Sequence, residues 1–91
     1  MPVHLNVTWT TSPGKGAELA ASMKPRVEQV LKEPGCERYE VFVGAHDDSR
    51  VVLLERWSDA AALEVHMAVK DYPPFLRELI TAPSDVQRFE T

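Results

Sequence analysis

The chain has 91 residues, with 10 Lys and Arg against 14 Asp and Glu for a formal net charge of −4, and 44% of its residues are hydrophobic. That length holds one core, so a single domain over residues 1–91 is expected, and a monomer this small hides only roughly 60–65% of the surface its unfolded chain exposes. The acidic balance leaves no charge for a phosphate backbone, the globular composition argues against disorder, and no apolar run approaches the roughly 20 residues that cross a bilayer. Nucleic acid and membrane are therefore not expected partners. Met1-Pro2-Val3-His4 has no basic stretch followed by an apolar one, and Cys36 is the single cysteine. Both features fit a cytoplasmic protein without an intrachain disulfide.

Val3, Leu5, Val7 and Trp9 alternate with His4, Asn6, Thr8 and Thr10, the pattern of a strand with one apolar face. Ser12-Pro13-Gly14 ends it, with Ser12 suited to cap a helix and Pro13 to its first position. Leu19, Met23, Val27, Val30 and Leu31 form a helical stripe that stops at Glu33-Pro34-Gly35. Pro25 lies inside the stripe, where it removes a backbone donor and crowds the carbonyl of Ala21, so a bend or two shorter helices are expected.

Residues 38–44 and 50–57 are rich in strand formers and flank the turn sequence Ala45-His46-Asp47-Asp48-Ser49, which predicts an antiparallel hairpin. Apolar residues occupy both parities in this hairpin, so both faces of the sheet call for a cover. Ser58-Asp59 caps a second helix bearing Leu63, His66, Met67 and Lys70, and Asp71-Tyr72-Pro73-Pro74 breaks it. A short third helix with Phe75, Leu76, Leu79 and Ile80 on one face is expected next, followed by a last strand over 85–90.

Strand, helix, strand, strand, helix, strand is the α+β ferredoxin-like βαββαβ order, with both helices on one face of an antiparallel sheet. The bare face would expose an apolar patch, and packing two sheets together in a homodimer is the economical cover.

The segment from Glu33-Pro34-Gly35-Cys36 to Glu40, and the segment from Leu54-Glu55-Arg56-Trp57 to His66-Met67, resemble the antibiotic biosynthesis monooxygenase family. The resemblance implies a dimeric alpha/beta barrel. It also implies oxidation of a small phenolic or hydroquinone-type aromatic by dioxygen, with no cofactor and no metal. Within the family the pattern is most similar to the quinol-oxidising branch. An asparagine and a tyrosine typical of the polyketide-oxidising branch are replaced here by Leu53 and Leu63. The stretch from Phe75 to Glu78 offers no histidine to a haem iron, and Asp71 stands where a second histidine often lies.

From the residues themselves, Glu55 and Trp57 share parity on one strand, and Leu63, His66 and Met67 share a helix face turned toward it. With Phe75 they would enclose an apolar hollow with a few polar groups, as a small planar ligand requires. His66 is the candidate base, since an ordinary imidazole pKa of about 6.5 suits proton transfer near neutrality. The plain alternative is a histidine satisfied within the core. Trp57 is a candidate wall for a substrate ring or simply core. Glu55 reads as a partner for Arg38 or Arg88, and Asn6 as a holder of a substrate oxygen if its face meets the hollow. His46-Asp47-Asp48 reads as turn chemistry rather than a metal site, Gly14-Lys15-Gly16 lacks phosphate-loop spacing, and Cys36 reads as structural. An isomerase or decarboxylase in the same barrel, or a non-catalytic small-molecule-binding module, are the alternatives to an oxygenase.

Overall fold

The computed structural model describes all of residues 1–91. Its elements are β1 (Val3–Thr10), α1 (Gly16–Ser22), α2 (Lys24–Val30), β2 (Cys36–Val43), β3 (Arg50–Trp57), α3 (Ala60–Ala68) and β4 (Asp85–Glu90), with one turn of 3-10 helix at Arg77–Leu79. The four strands form one antiparallel sheet in the order β2-β3-β1-β4, so the fold is α+β and ferredoxin-like.

Register assigns the two faces. Val3 lies opposite Trp57, Leu5 opposite Glu55 and Val7 opposite Leu53. Those residues, with Tyr39 of β2, meet Leu19, Met23, Val30, Leu63 and Phe75 in one core. The other face carries Asn6, Thr8, Val52, Leu54, Phe42 and Phe89, and no helix covers it; Phe42 and Phe89 are each 44% exposed. No helix of the chain is long and apolar enough to cross a membrane.

Pro25 divides the first helical stripe as its chemistry requires. It stands in the first turn of α2, where its missing N–H costs nothing, and Met23 serves both helices as a cap. Leu31 falls beyond α2 and is half-exposed rather than part of the stripe's buried face.

Two expectations at element ends are corrected. The helix does not start at Ser12-Pro13: those residues make a turn closed by Lys15 N donating to Ser12 O, and α1 begins at Gly16. Gly16 lies so close to the carbonyl of Asp48 that a side chain there would collide with it, and its N–H donates to that carbonyl at 2.9 Å. The expected third helix is only the turn at Arg77–Leu79. Phe75 and Leu76 are engaged elsewhere: Leu76 N donates to Ser22 Oγ, and Ile80 bridges to Thr11 as extended chain. The residue before a proline also avoids helical geometry, so Tyr72-Pro73-Pro74 remains open.

Candidate active site

α3 carries the central residue. Asp59, extended at φ −161°, caps this helix by accepting the Ala62 N–H at 2.8 Å, and Leu63 anchors it in the core. One turn on, the His66 ring lies inward over Trp57, with ring centroids 4.6 Å apart, and meets the edge of Tyr39 at 5.8 Å. Its side chain is 11% exposed.

The turn after α2 brings a carboxylate to that ring. Glu33 N donates to Val30 O and Cys36 N to Glu33 O, and the reversal between them passes through Gly35 at φ +82°. Glycine adopts that angle without penalty. The loop is tied to the start of α3 by Ser58 N donating to Gly35 O at 2.8 Å, and the two segments approach so closely that a Cβ at Gly35 would lie 2.6 Å from that of Ala62. Glu33 Oε1 thereby reaches His66 Nδ1 at 2.8 Å.

A third group arrives from the chain after α3. The Tyr72 hydroxyl donates to Glu33 Oε2 and stands 2.7 Å from His66 Nδ1. Burial, reinforced by the adjacent Glu33 carboxylate, pushes this phenol well above the ordinary tyrosine range, so it is un-ionised. On the far edge of the imidazole, Glu55 Oε1 lies 4.0 Å from Nε2 and accepts the Trp57 indole N–H at 3.0 Å. Burial raises the Glu55 carboxyl, opposed by that indole bond and by the His66 charge. Nδ1 of the ring thus faces Glu33 and the Tyr72 hydroxyl, and Nε2 faces the Glu55 carboxyl.

Beside the pair a cavity of about 380 Å³ opens between the Glu33–Gly35 turn and the first turns of α3, lined by Glu33, Pro34, Gly35, Ser58, Val65 and His66 among others. It is of a size for one small aromatic molecule.

Of the residues singled out from sequence, His66 alone lines that cavity, with Glu55 and Trp57 packed behind its ring. Glu55 pairs with neither arginine: Arg38 is bound to Glu40, and Glu55 faces His66 instead. Asn6 lies opposite Leu54, on the bare face, because its parity is that of His4 and Thr8. Leu63 is wholly buried under α3. Met67 is 63% exposed, turned away from the sheet on which its neighbour His66 packs. Phe75 packs on Trp9, at the opposite end of β1 from Val3 and Trp57. Glu33 and Tyr72 were read only as a helix stop and a helix break, and no periodicity marks them. In the hairpin, Asp47 accepts from Ser49 and Asp48 from Gly14, which is turn chemistry. The Cys36 thiol is pushed up to about 11, chiefly by burial and then by Glu33, and so is held protonated.

The model of the antibiotic biosynthesis monooxygenase family matches residues 2–75. The Bacillus subtilis (strain 168) protein named "Putative monooxygenase YcnE" is 31% identical over 81 residues, which cover 86% of this chain and 85% of that one. Among solved structures, the "Putative antibiotic biosynthesis monooxygenase from Nitrosomonas europaea" superposes with a TM-score of 0.86 at 18% identity, over 99% of this chain and 89% of the other. Rv0793 from Mycobacterium tuberculosis superposes with a TM-score of 0.82 at 24% identity, over 100% and 95%. At these identities the superpositions speak to the fold alone.

Proposed function

Because this chain belongs to the antibiotic biosynthesis monooxygenase family, we propose that it is a monooxygenase that oxidises a small phenolic or hydroquinone-type aromatic with dioxygen, the Glu33–His66 pair accepting the phenolic proton. The observation that carries this reading is the pair itself: an imidazole and a carboxylate 2.8 Å apart, largely buried, at the wall of a cavity sized for one ring. Removing the proton makes the ring electron-rich, and the resulting phenolate gives electrons to dioxygen. One oxygen atom then bonds to a ring carbon that bears hydrogen, para to the hydroxyl in a simple phenol and ortho to it in a hydroquinone. Loss of water from the hydroperoxide leaves the quinone, so that phenol and dioxygen become quinone and water, and hydroquinone and dioxygen become hydroxyquinone and water. The protein's part is to take the proton, hold the ring and exclude water. Trp57 and Tyr39 fix the imidazole from behind, and Glu55 stands ready at Nε2 when the pair carries the extra proton. The proton belongs to the coupled pair rather than to one atom.

The bare sheet face supports a homodimer, since Phe42, Val52, Leu54 and Phe89 form an apolar patch that a second copy would cover. A cytoplasmic site of action is the reading favoured by a single cysteine that can form no intrachain disulfide.

The test is dioxygen consumption with a panel of hydroquinones and phenols. Uptake that is lost in His66→Ala, with the fold intact, supports the reading; product formation from the same compounds without uptake would favour an isomerase or decarboxylase.

A further inference from the structure

The phenol already seated at the Glu33–His66 pair is the protein's own. Tyr72 Oη stands 2.7 Å from His66 Nδ1, donates to Glu33 Oε2 and lies 3.0 Å from the His66 carbonyl oxygen. An un-ionised aryl hydroxyl is thus presented to the two groups that would deprotonate a substrate, at the distance proton transfer needs. The Tyr72 ring itself is held under the Arg26 guanidinium, 5.4 Å from its centroid.

The segment that delivers Tyr72 is built to let go. Residues 69–76 form neither helix nor strand. The amides of Lys70, Asp71 and Tyr72 have no hydrogen-bond partner in the protein. Beyond Tyr72 the chain is anchored, by Arg26 Nε donating to Pro73 O at 3.1 Å, by Leu76 N donating to Ser22 Oγ at 3.1 Å and by Phe75 buried in the core against Trp9, so the part free to open is residues 69–72. Segments with so few backbone bonds open locally at low cost.

We propose that Tyr72 is a self-ligand: its hydroxyl occupies the place that a phenolic substrate's hydroxyl takes at the Glu33–His66 pair, and the strap 69–72 must release it before that substrate binds. This rests on the proposed function and adds to it how the site selects. A neutral phenol with its ring in the cavity beside Glu33 and His66 can replace the Tyr72 hydroxyl, donating to Glu33 in its stead. An aryl carboxylate cannot, because it would set a second negative charge against Glu33. The closed strap lowers apparent affinity by the fraction of molecules that are open.

The experiment uses the whole chain without dioxygen, in mildly acidic buffer where para-nitrophenol, the probe, is neutral and para-nitrobenzoate, the control, is ionised. Tyr72→Phe keeps the ring under Arg26 but vacates the hydroxyl position. It is expected to bind para-nitrophenol about 10-fold more tightly than the unaltered protein, the effect of losing one competing charge-assisted hydrogen bond, while para-nitrobenzoate binds neither. In the unaltered protein, saturating para-nitrophenol should speed hydrogen exchange across residues 69–72. That second readout stands if the variant does not fold. Equal or weaker binding by a folded Tyr72→Phe, no binding to either form, or exchange that is unchanged or slowed overturns the proposal. Both readouts are independent of turnover, so a protein that consumes no dioxygen can still pass them. An active oxygenase that fails them loses only the self-ligand.

Discussion

Gly35→Ala tests whether the site depends on the tight apposition of the Glu33–Gly35 turn and α3. Gly35 sits at φ +82°, where an L-residue pays about 1–2 kcal/mol. The new methyl would lie 2.6 Å from the Ala62 Cβ and 2.7 Å from the Ser58 Oγ, against a comfortable carbon separation of about 3.5–4.0 Å. Turn and helix must therefore part by about 1 Å, a packing cost of about 1–3 kcal/mol. The sum is about 2–5 kcal/mol, and at about 4–8 °C per kcal/mol for a domain of this size Tm should fall by at least about 8 °C. Thermal unfolding followed by circular dichroism gives the first number. Dioxygen uptake at a temperature where the variant is folded gives the second, which should also fall, because the displaced turn carries Glu33 away from His66. Glu33→Gln is the companion: Tm should move little while uptake falls at least about 10-fold, the lower end of what a positioned proton acceptor contributes. A Tm within about 2 °C of the unaltered protein in Gly35→Ala would refute the close contact and the left-handed turn together.

Three further outcomes follow from the same geometry. Asp59→Ala removes the only side-chain cap of α3 and should cost about 1 kcal/mol, read as a Tm loss of about 4–8 °C. Glu55→Gln keeps an acceptor for the Trp57 indole while removing a carboxyl that burial has raised above its ordinary 4.5. The folded chain holds that proton to higher pH than the unfolded one, so stability is lost as pH climbs through the raised value. The variant should therefore gain on the unaltered protein above that window and match it most closely in acid; a deficit that is the same at every pH would contradict this. Leu54→Asp puts a charge in the middle of the bare sheet face and should convert a dimer into a folded monomer by sedimentation velocity, whereas an unaltered protein that is itself monomeric would remove the basis for the dimer.

How much of this was readable before the structure depends on the kind of element. β3 spans Arg50–Trp57 as expected, because its strand formers are bounded by turn residues on one side and a cap on the other, and Pro25 splits its helix because of its own covalent geometry. The failed third helix shows where local rules yield: Leu76 and Ile80 fit a helical face, but Ser22 and Thr11 offer their backbones partners outside a helix. The site divides likewise. His66, Glu55 and Trp57 could be placed on one side of the sheet from parity and helical spacing. Glu33 and Tyr72 could not, since one lies in a turn and the other in an irregular strap, and their meeting spans 39 positions of sequence. Met67 and Phe75 failed for the complementary reason: their apolar character marks them for burial but does not say against what.

Isotopically labelled dioxygen gives the most direct test of the oxygenase reading. With a hydroquinone or phenol that supports uptake, mass spectrometry of the quinone should find one oxygen atom from the labelled gas, and His66→Ala or Glu33→Gln should suppress both label and product. Product whose new oxygen comes from water, or labelled product formed equally well by both variants, would contradict proton transfer to this pair as the step that admits dioxygen.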